Sequence, residues 1–173
     1  MVGESIEEIV DKVLKSWVEN EVNQLPCEIE KEMLAPEQPD DEWKFWLPIK
    51  STVTDTDLQE FETETGFIFP EDFKKFLKHK HFYELQISEV SFCSHPVNIW
   101  KASLREMMFK TYPREFLFDK GYVPFALYSD WGLLCFDTHN SNAVVLWDHE
   151  DEGTFEYKYT NFHDLMNEIS KEG

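Results

Sequence analysis

The sequence is poor in the residues that build common catalytic and cofactor-binding motifs. Its six glycines form neither a Gly-rich phosphate loop nor a G-x-S-x-G nucleophile motif. Its three cysteines, Cys27, Cys93 and Cys135, show no C-x-x-C spacing, so we expect free thiols that are buried or half-buried. We therefore predict a protein without enzyme activity and without a cofactor.

Long apolar runs are also missing. No segment approaches the roughly 18 consecutive apolar residues that a membrane-spanning helix requires. The first residues are acidic and no apolar run follows them, so we expect no signal peptide. The sequence indicates a cytoplasmic protein that does not bind membranes.

Basic residues are scarce relative to acidic ones. The chain has 16 Lys and Arg against 35 Asp and Glu, which gives a net charge of −19. Nucleic acids and anionic membranes are bound by neutralising phosphates with Lys and Arg, so this charge argues against both as ligands. It favours a basic protein partner, because complementary potentials speed association. The alternative is that the acidic surface only keeps the protein soluble.

Aromatic residues, in contrast, are abundant. The 173 residues include 15 Phe, 6 Tyr and 6 Trp. A chain of this size buries about 70% of its unfolded surface, enough for one core without disulfides. We expect aromatic rings to fill that core, since each buries a large area.

The N-terminal region predicts a helix followed by a linker. Apolar residues recur at helical spacing over residues 5–22, with Ser5 and Glu8 placed as a capping box. Residues 35–42 are acidic and contain two prolines, which is typical of a linker. We divide the chain into an N-terminal extension (residues 1–42), packed less firmly, and a main domain (residues 43–173).

The main domain opens with two short helices joined by an apolar corner. Thr54 and Asp57 suit the start of the first helix, and Gly66 suits its C-cap. Pro70 is expected at the first position of the second helix, which continues through Phe76.

The second half predicts an antiparallel sheet. The expected strands are a hairpin within residues 85–92, an extended stretch at 97–100, and strands at 122–128, 131–136, 143–147 and 155–159. A capping box at Ser103 predicts a short helix, and Asn161 caps a closing helix. The predicted fold class is α+β, an antiparallel sheet packed with helices on one side.

Two groups of residues invite a catalytic or metal-binding interpretation. His79 and His81 lack further ligands nearby, whereas zinc needs three or four, so we expect a solvent-facing pair at a helix end. Cys135 precedes His139 by four residues, but an apolar strand position raises a thiol pKa and lowers its reactivity. We predict no catalytic residue and no metal site.

The candidate binding residues lie in two predicted turns. Asp130 and Trp131 form either an ordinary hairpin tip or a binding hot spot. The second turn, residues 148–152, contains several acidic residues and is either a solvated loop or a patch that faces a partner. The spacing of its acidic residues does not match that of a calcium-binding loop. The predicted partner-binding residues are Asp130, Trp131, Asp148, Glu150, Asp151 and Glu152.

The order and spacing of several motifs resemble the SUKH superfamily, over about residues 45–170. The motifs are Trp46 with Pro48, Leu58-x-x-Phe61-Glu62, Gly66-Phe67-Ile68-Phe69-Pro70-Glu71-Asp72-Phe73, Tyr122-Val123-Pro124-Phe125-Ala126, Leu134-Cys135-Phe136-Asp137, the strand from Ala143 to Glu150, and Asn161-Phe162-x-x-Leu165. One departure is the single Gly132 where many members carry a glycine pair.

The resemblance implies a non-enzymatic binding role. The superfamily is that of bacterial immunity proteins, which neutralise a cognate toxin, often a nuclease, and of fungal regulators of cell-wall synthesis. We therefore expect an immunity protein with a basic toxin as its partner, or alternatively a regulatory adaptor in cell-wall synthesis or signalling.

Overall fold

The computed structural model describes residues 3–150 and 154–172. Within these residues the chain forms α-helices, short 3-10 helices and β-strands. The α-helices are α1 (Ile6–Glu19), α2 (Asp55–Thr65), α3 (Glu71–His79), α4 (Trp100–Phe109) and α5 (Phe162–Glu172), with 3-10 turns at Lys31–Met33 and Phe118–Lys120. The strands are β1 (Gln24–Leu25), β2 (Lys44–Phe45), β3 (Ile49–Lys50), β4 (Lys80–His81), β5 (Gln86–Ile87), β6 (Val90–Phe92), β7 (Tyr122–Tyr128), β8 (Gly132–Asp137), β9 (Ala143–Asp148) and β10 (Thr154–Tyr159).

The largest sheet of the described residues has six strands in the order β10-β9-β8-β7-β6-β5. Neighbours in the sheet are neighbours in the sequence, and every pair is antiparallel. Two small antiparallel pairs, β1 with β2 and β3 with β4, lie outside it. The α+β class and the antiparallel sheet are confirmed.

Phe73 on α3 lies at the centre of the core. Its ring centroid lies 5.1–5.8 Å from those of rings on the corner after α2, on α3, on β7 and β8, and on α5, most of them edge-on or tilted. These rings belong to Phe69, Phe76, Phe125, Phe136 and Phe162. Such aromatic pairs contribute beyond the area they bury, so this cluster joins the helices to the sheet.

The corner between α2 and α3 has the predicted form. Thr54 begins α2 with a capping box, and Gly66 ends it in the left-handed region at φ 79°. Phe67 and Phe69 are buried, while Ile68 between them is 66% exposed. Pro70 is the N-cap of α3, one residue earlier than expected, because the helix itself begins at Glu71.

Helix α1 packs more firmly than the sequence suggested. Its capping box is present, and Ile6, Ile9, Val10 and Leu14 are buried in the main core against α3 and α5. The expected linker folds back on itself, since the Gln38 side chain exchanges hydrogen bonds of 2.9 Å with the Phe45 backbone. The boundary at residue 42 stays a prediction.

Two predictions for residues 97–106 are wrong. Residues 97–99 form a turn instead of an extended stretch, and α4 begins at Trp100, so Ser103 lies inside the helix. The helix start has no side-chain cap. It is fixed by burial of Trp100, whose ring lies 6.0 Å from Phe61 and 5.6 Å from His95.

The second face of the large sheet is partly covered by the end of α4 and the chain that follows it. Met107 and Leu117 pack on Leu133, Cys135, Val145 and Trp147. Helices α3 and α5 therefore pack on one face of the sheet, with α1 against them, and the end of α4 with an irregular segment covers the other face. Cys93 and Cys135 are half-buried and buried as expected, but Cys27 is exposed, which corrects the prediction for that thiol.

We expect the Phe73→Ala variant to lose about 3–5 kcal/mol of unfolding free energy, because it empties the centre of the aromatic cluster. Urea unfolding monitored by circular dichroism measures the loss. The matched control is Phe116→Ala, where the ring is 54% exposed and a change within about 0.5 kcal/mol is expected. Equal losses in the two variants would contradict the central position of Phe73.

Candidate functional site

Three turns project from the same end of the large sheet. One row of paired residues crosses the strands at this end, namely Val90, Tyr128, Gly132, Asp148 and Thr154. The turns that follow this row are residues 88–89, residues 129–131 and the turn that begins at His149. We call the acidic surface formed by the exposed Glu89, Asp130 and Glu150 and the half-buried Asp148 the acidic end of the sheet.

The turn between β7 and β8 carries Asp130 and Trp131. Ser129 takes a left-handed φ of 52°, and its backbone N–H donates to the Glu89 carbonyl at 2.8 Å. Asp130 is exposed, and Trp131 is half-buried with its ring edge-on to Tyr128 at 5.5 Å. Burial and the Glu89 carboxylate raise the Tyr128 pKa. The turn therefore holds a carboxylate and an aromatic ring side by side at the surface.

Gly132 ends this turn at a point where the Leu146 side chain approaches the backbone closely. A Cβ at this position would lie 2.7 Å from Leu146 Cδ1. The left-handed conformation that a turn of this kind needs is taken by Ser129 instead of by a glycine. This explains how a single glycine suffices in the turn.

The turn after β9 carries the other predicted acids. Asp148 is half-buried, and its Oδ1 accepts the Glu150 backbone N–H at 2.8 Å, so this carboxylate shapes the start of the turn. Glu150 is exposed. Asp151 and Glu152 lie outside the described residues. The structure thus brings Asp130, Trp131, Asp148 and Glu150 together, and their role in binding stays a prediction.

An aromatic groove on the second face of the sheet adjoins the acidic end. It has a volume of about 440 Å³, and the rings of Tyr112 and Trp147 on its floor are edge-on at 4.4 Å. The lining residues are Tyr112, Pro113, Phe116, Lys120, Trp147, His149 and Phe155. Sequence reasoning missed this groove, because its walls come from an irregular segment and two strands. The available signal was Phe116, an aromatic residue in a short apolar run between charged residues.

A comparison with protein families identifies the chain. The model of the family described as SUKH_5, SMI1-KNR4 cell-wall, matches residues 6–171. The chain belongs to this SUKH family. The match begins at α1 and so extends well beyond the resemblance seen in the sequence. No curated protein matches the chain.

Membership of the SUKH family supports a non-enzymatic domain with an immunity or a regulatory role, in a family that is generally non-catalytic. Within the described ranges 3–150 and 154–172, no three His, Cys, Asp or Glu side chains are grouped to hold a metal ion. In those ranges, too, no helix has the length and apolar character to cross a membrane.

The two histidines that suggested a metal site in the SUKH domain are not a solvent-facing pair. His79 Nε2 lies 2.7 Å from Asp11 Oδ1, which ties α3 to α1. His81 is fully buried: its Nε2 accepts the Thr52 backbone N–H at 3.0 Å, and its Nδ1 donates to the His95 carbonyl at 2.9 Å. The prediction of exposure for His81 is wrong, because β4 turns the side chain into the core.

His95 completes this buried pair. It is 2% exposed, and its Nε2 donates to the Leu77 carbonyl at 2.7 Å. Burial lowers the pKa of His95 to about 3 and also lowers the pKa of His81. Both rings are therefore neutral structural elements that satisfy backbone groups.

The Cys135 thiol in the SUKH domain has no access to His139. Cys135 is fully buried on β8, and burial raises its thiol pKa far above the usual range. His139 lies in the exposed turn after β8, where its Nδ1 is 3.0 Å from Asp137 Oδ1. The Cys135 thiol therefore lies in the core and the His139 ring at the surface, so the two side chains do not form a pair.

The buried His95 predicts a loss of stability at acid pH. Its folded pKa of about 3 lies below the ordinary value of 6.5, so the stabilisation by the neutral ring is complete above pH 6.5 and falls as the pH decreases. His95→Gln keeps a donor for the Leu77 carbonyl but removes the titration. Relative to this variant, the unfolding free energy of the wild type should decrease by up to about 1.4 kcal/mol per pH unit below 6.5.

Urea unfolding at pH 7.5, 6.5, 5.5 and 4.5 measures this difference. Ile68→Ser provides a control, because it changes an exposed side chain without a titratable group and should follow the wild-type pH dependence. Parallel curves for wild type and His95→Gln would show that His95 does not control the pH dependence.

Proposed function

We propose that this chain is an immunity protein that binds and neutralises a basic toxin domain of the nuclease type. The observation that carries the proposal is the acidic end, where the exposed carboxylates of Asp130 and Glu150 lie at the same end of the sheet as the half-buried Asp148 and Trp131. Family membership supports an immunity or a regulatory role. The protein would act in the cytoplasm, without a catalytic step of its own.

The charge of the chain explains how such binding would work. A nuclease binds phosphates through Lys and Arg, so its substrate-binding face is positive. This chain, with its net charge of −19, would be attracted to the positive face of the nuclease and would repel the nucleic acid that competes for that face. Exposed carboxylates at the rim of an interface mainly accelerate association, and a half-buried ring such as Trp131 slows dissociation.

A second role, as a regulatory adaptor in cell-wall synthesis or signalling, is favoured by the description of the matched family as SMI1-KNR4 cell-wall. The same acidic end would then bind a basic segment of a regulatory protein. The neighbouring reading frame distinguishes the two roles, because an immunity gene is expected beside the gene of its toxin.

The direct test is binding and protection with the toxin domain encoded next to this chain. We expect co-expression to restore growth of cells that produce the toxin, and the purified proteins to form a 1:1 complex that blocks nucleic acid cleavage. Equal killing with and without this protein, together with no complex by calorimetry, would contradict the proposal.

Neutralising the acidic end should slow complex formation. For Asp130→Asn/Glu150→Gln we expect the association rate constant at low salt to fall by roughly three- to tenfold, because electrostatic steering is lost. Surface plasmon resonance at several salt concentrations measures the rate. The control Glu60→Gln/Glu71→Gln removes two exposed carboxylates from α2 and α3 and should associate like the wild type. An equal effect of both double variants would assign steering to the net charge alone.

A further inference from the structure

The aromatic groove beside the acidic end has the composition of a protein-binding hot spot. Phe116 is 54% and Phe155 38% exposed on its walls, although both are large aromatic residues. Trp147 on the floor is buried by contrast, and Tyr112 packs edge-on against it. Aromatic pockets surrounded by polar residues are typical of the centre of an interface.

The two ends of the groove differ in charge. His149 at one end adjoins Asp148 and Glu150 of the acidic end. Lys120 is at the other end, because the next residue, Gly121, accepts a hydrogen bond from Thr138 in the turn at the opposite end of the sheet. A segment lying in the groove would therefore place its positive charges toward the turn that contains Glu150.

The net charge also selects among possible occupants. A second copy of this chain would bring another −19 against the acidic end, so self-association through the groove is disfavoured. A small apolar molecule would gain nothing from the adjacent carboxylates. A basic protein that carries an apolar side chain next to Lys or Arg uses both features.

We propose that the aromatic groove receives an apolar anchor side chain of the basic partner, with neighbouring Lys or Arg residues of the partner facing Glu150. This inference rests on the proposed function for the identity of the partner, but the groove itself is tested separately. The anchor would stack among Phe116, Phe155 and Tyr112, and its cationic neighbours would be steered by the acidic end.

The test that does not require the toxin is a titration of the ¹⁵N-labelled full chain with short peptides, followed by NMR. The probe is Ac-Lys-Arg-Lys-Leu-Trp-Leu-NH₂. Its comparison peptides are Ac-Lys-Arg-Lys-Ser-Gly-Ser-NH₂, without the anchor, and Ac-Glu-Glu-Glu-Leu-Trp-Leu-NH₂, with inverted charge. We expect the probe to shift amide signals of residues 112–120, 147–150 and 155, and to bind more tightly than either comparison peptide.

Substitution of the groove provides the second arm. Phe116→Ser should weaken binding of the probe and of the toxin domain by about tenfold or more. The matched control is Ile68→Ser, which removes an even more exposed apolar side chain, 66% exposed, from the corner after α2. Thermal unfolding confirms that both variants fold.

The outcomes separate the two proposals. Amide shifts spread over the acidic surface would overturn the proposal for the groove. Equal affinities of the probe and of the peptide without an anchor would overturn it as well. So would a toxin complex that Phe116→Ser and Ile68→Ser leave equally tight, although the proposed function would then survive. If the chain does not bind the toxin but binds the probe in the groove, the result supports the groove as a docking surface. It then refutes only the toxin as the partner. A dimer of this chain formed through Phe116 would also overturn the proposal that the groove binds a partner.

Discussion

The packing of Phe73 between the α2–α3 corner and the sheet is the contact on which the other parts of this fold depend. It requires a corner that can deliver aromatic rings to the sheet from a short connection. The left-handed Gly66 reverses the chain, and Glu62 then holds the corner: its carboxylate accepts the Phe69 backbone N–H at 2.7 Å and lies 3.3 Å from Lys74 Nζ. This carboxylate is nearly buried, and its polar partners compensate for the lost water.

The stabilising core and the proposed binding surfaces lie in different parts of the molecule. The Phe-rich core lies between the helices and one face of the sheet, and the buried pair His81 and His95 adds fixed backbone contacts on the same side. The acidic end and the aromatic groove lie at the turns and on the other face. Charge can therefore accumulate at the acidic end without entering the core, where an unpaired charge would be costly.

Much of the fold follows from local patterns in the sequence. The strands near residues 122–147, the capping boxes at Ser5 and Thr54, and the Gly66 cap were all predictable, because each depends on residues close in the chain. The predictions failed where distant contacts decide. Trp100 starts α4 through burial without a cap, and His81 enters the core because β4 pairs with β3.

The candidate site divides in the same way. The turn residues Asp130, Trp131, Asp148 and Glu150 could be named from hairpin patterns, and the meander then brings them to one end of the sheet. The groove could not be found, because Phe116 and Phe155 are 39 positions apart by their numbering and lie near each other only after the segment that follows α4 crosses the second face.

The common row of paired residues from Val90 to Thr154 has a consequence for how relatives of this chain would diverge. Since each turn leaves the sheet at the same level, its length and composition can change while the strand register below it is preserved. Relatives could thus acquire new binding properties by changes in these turns, while the sheet and the aromatic core stay the same.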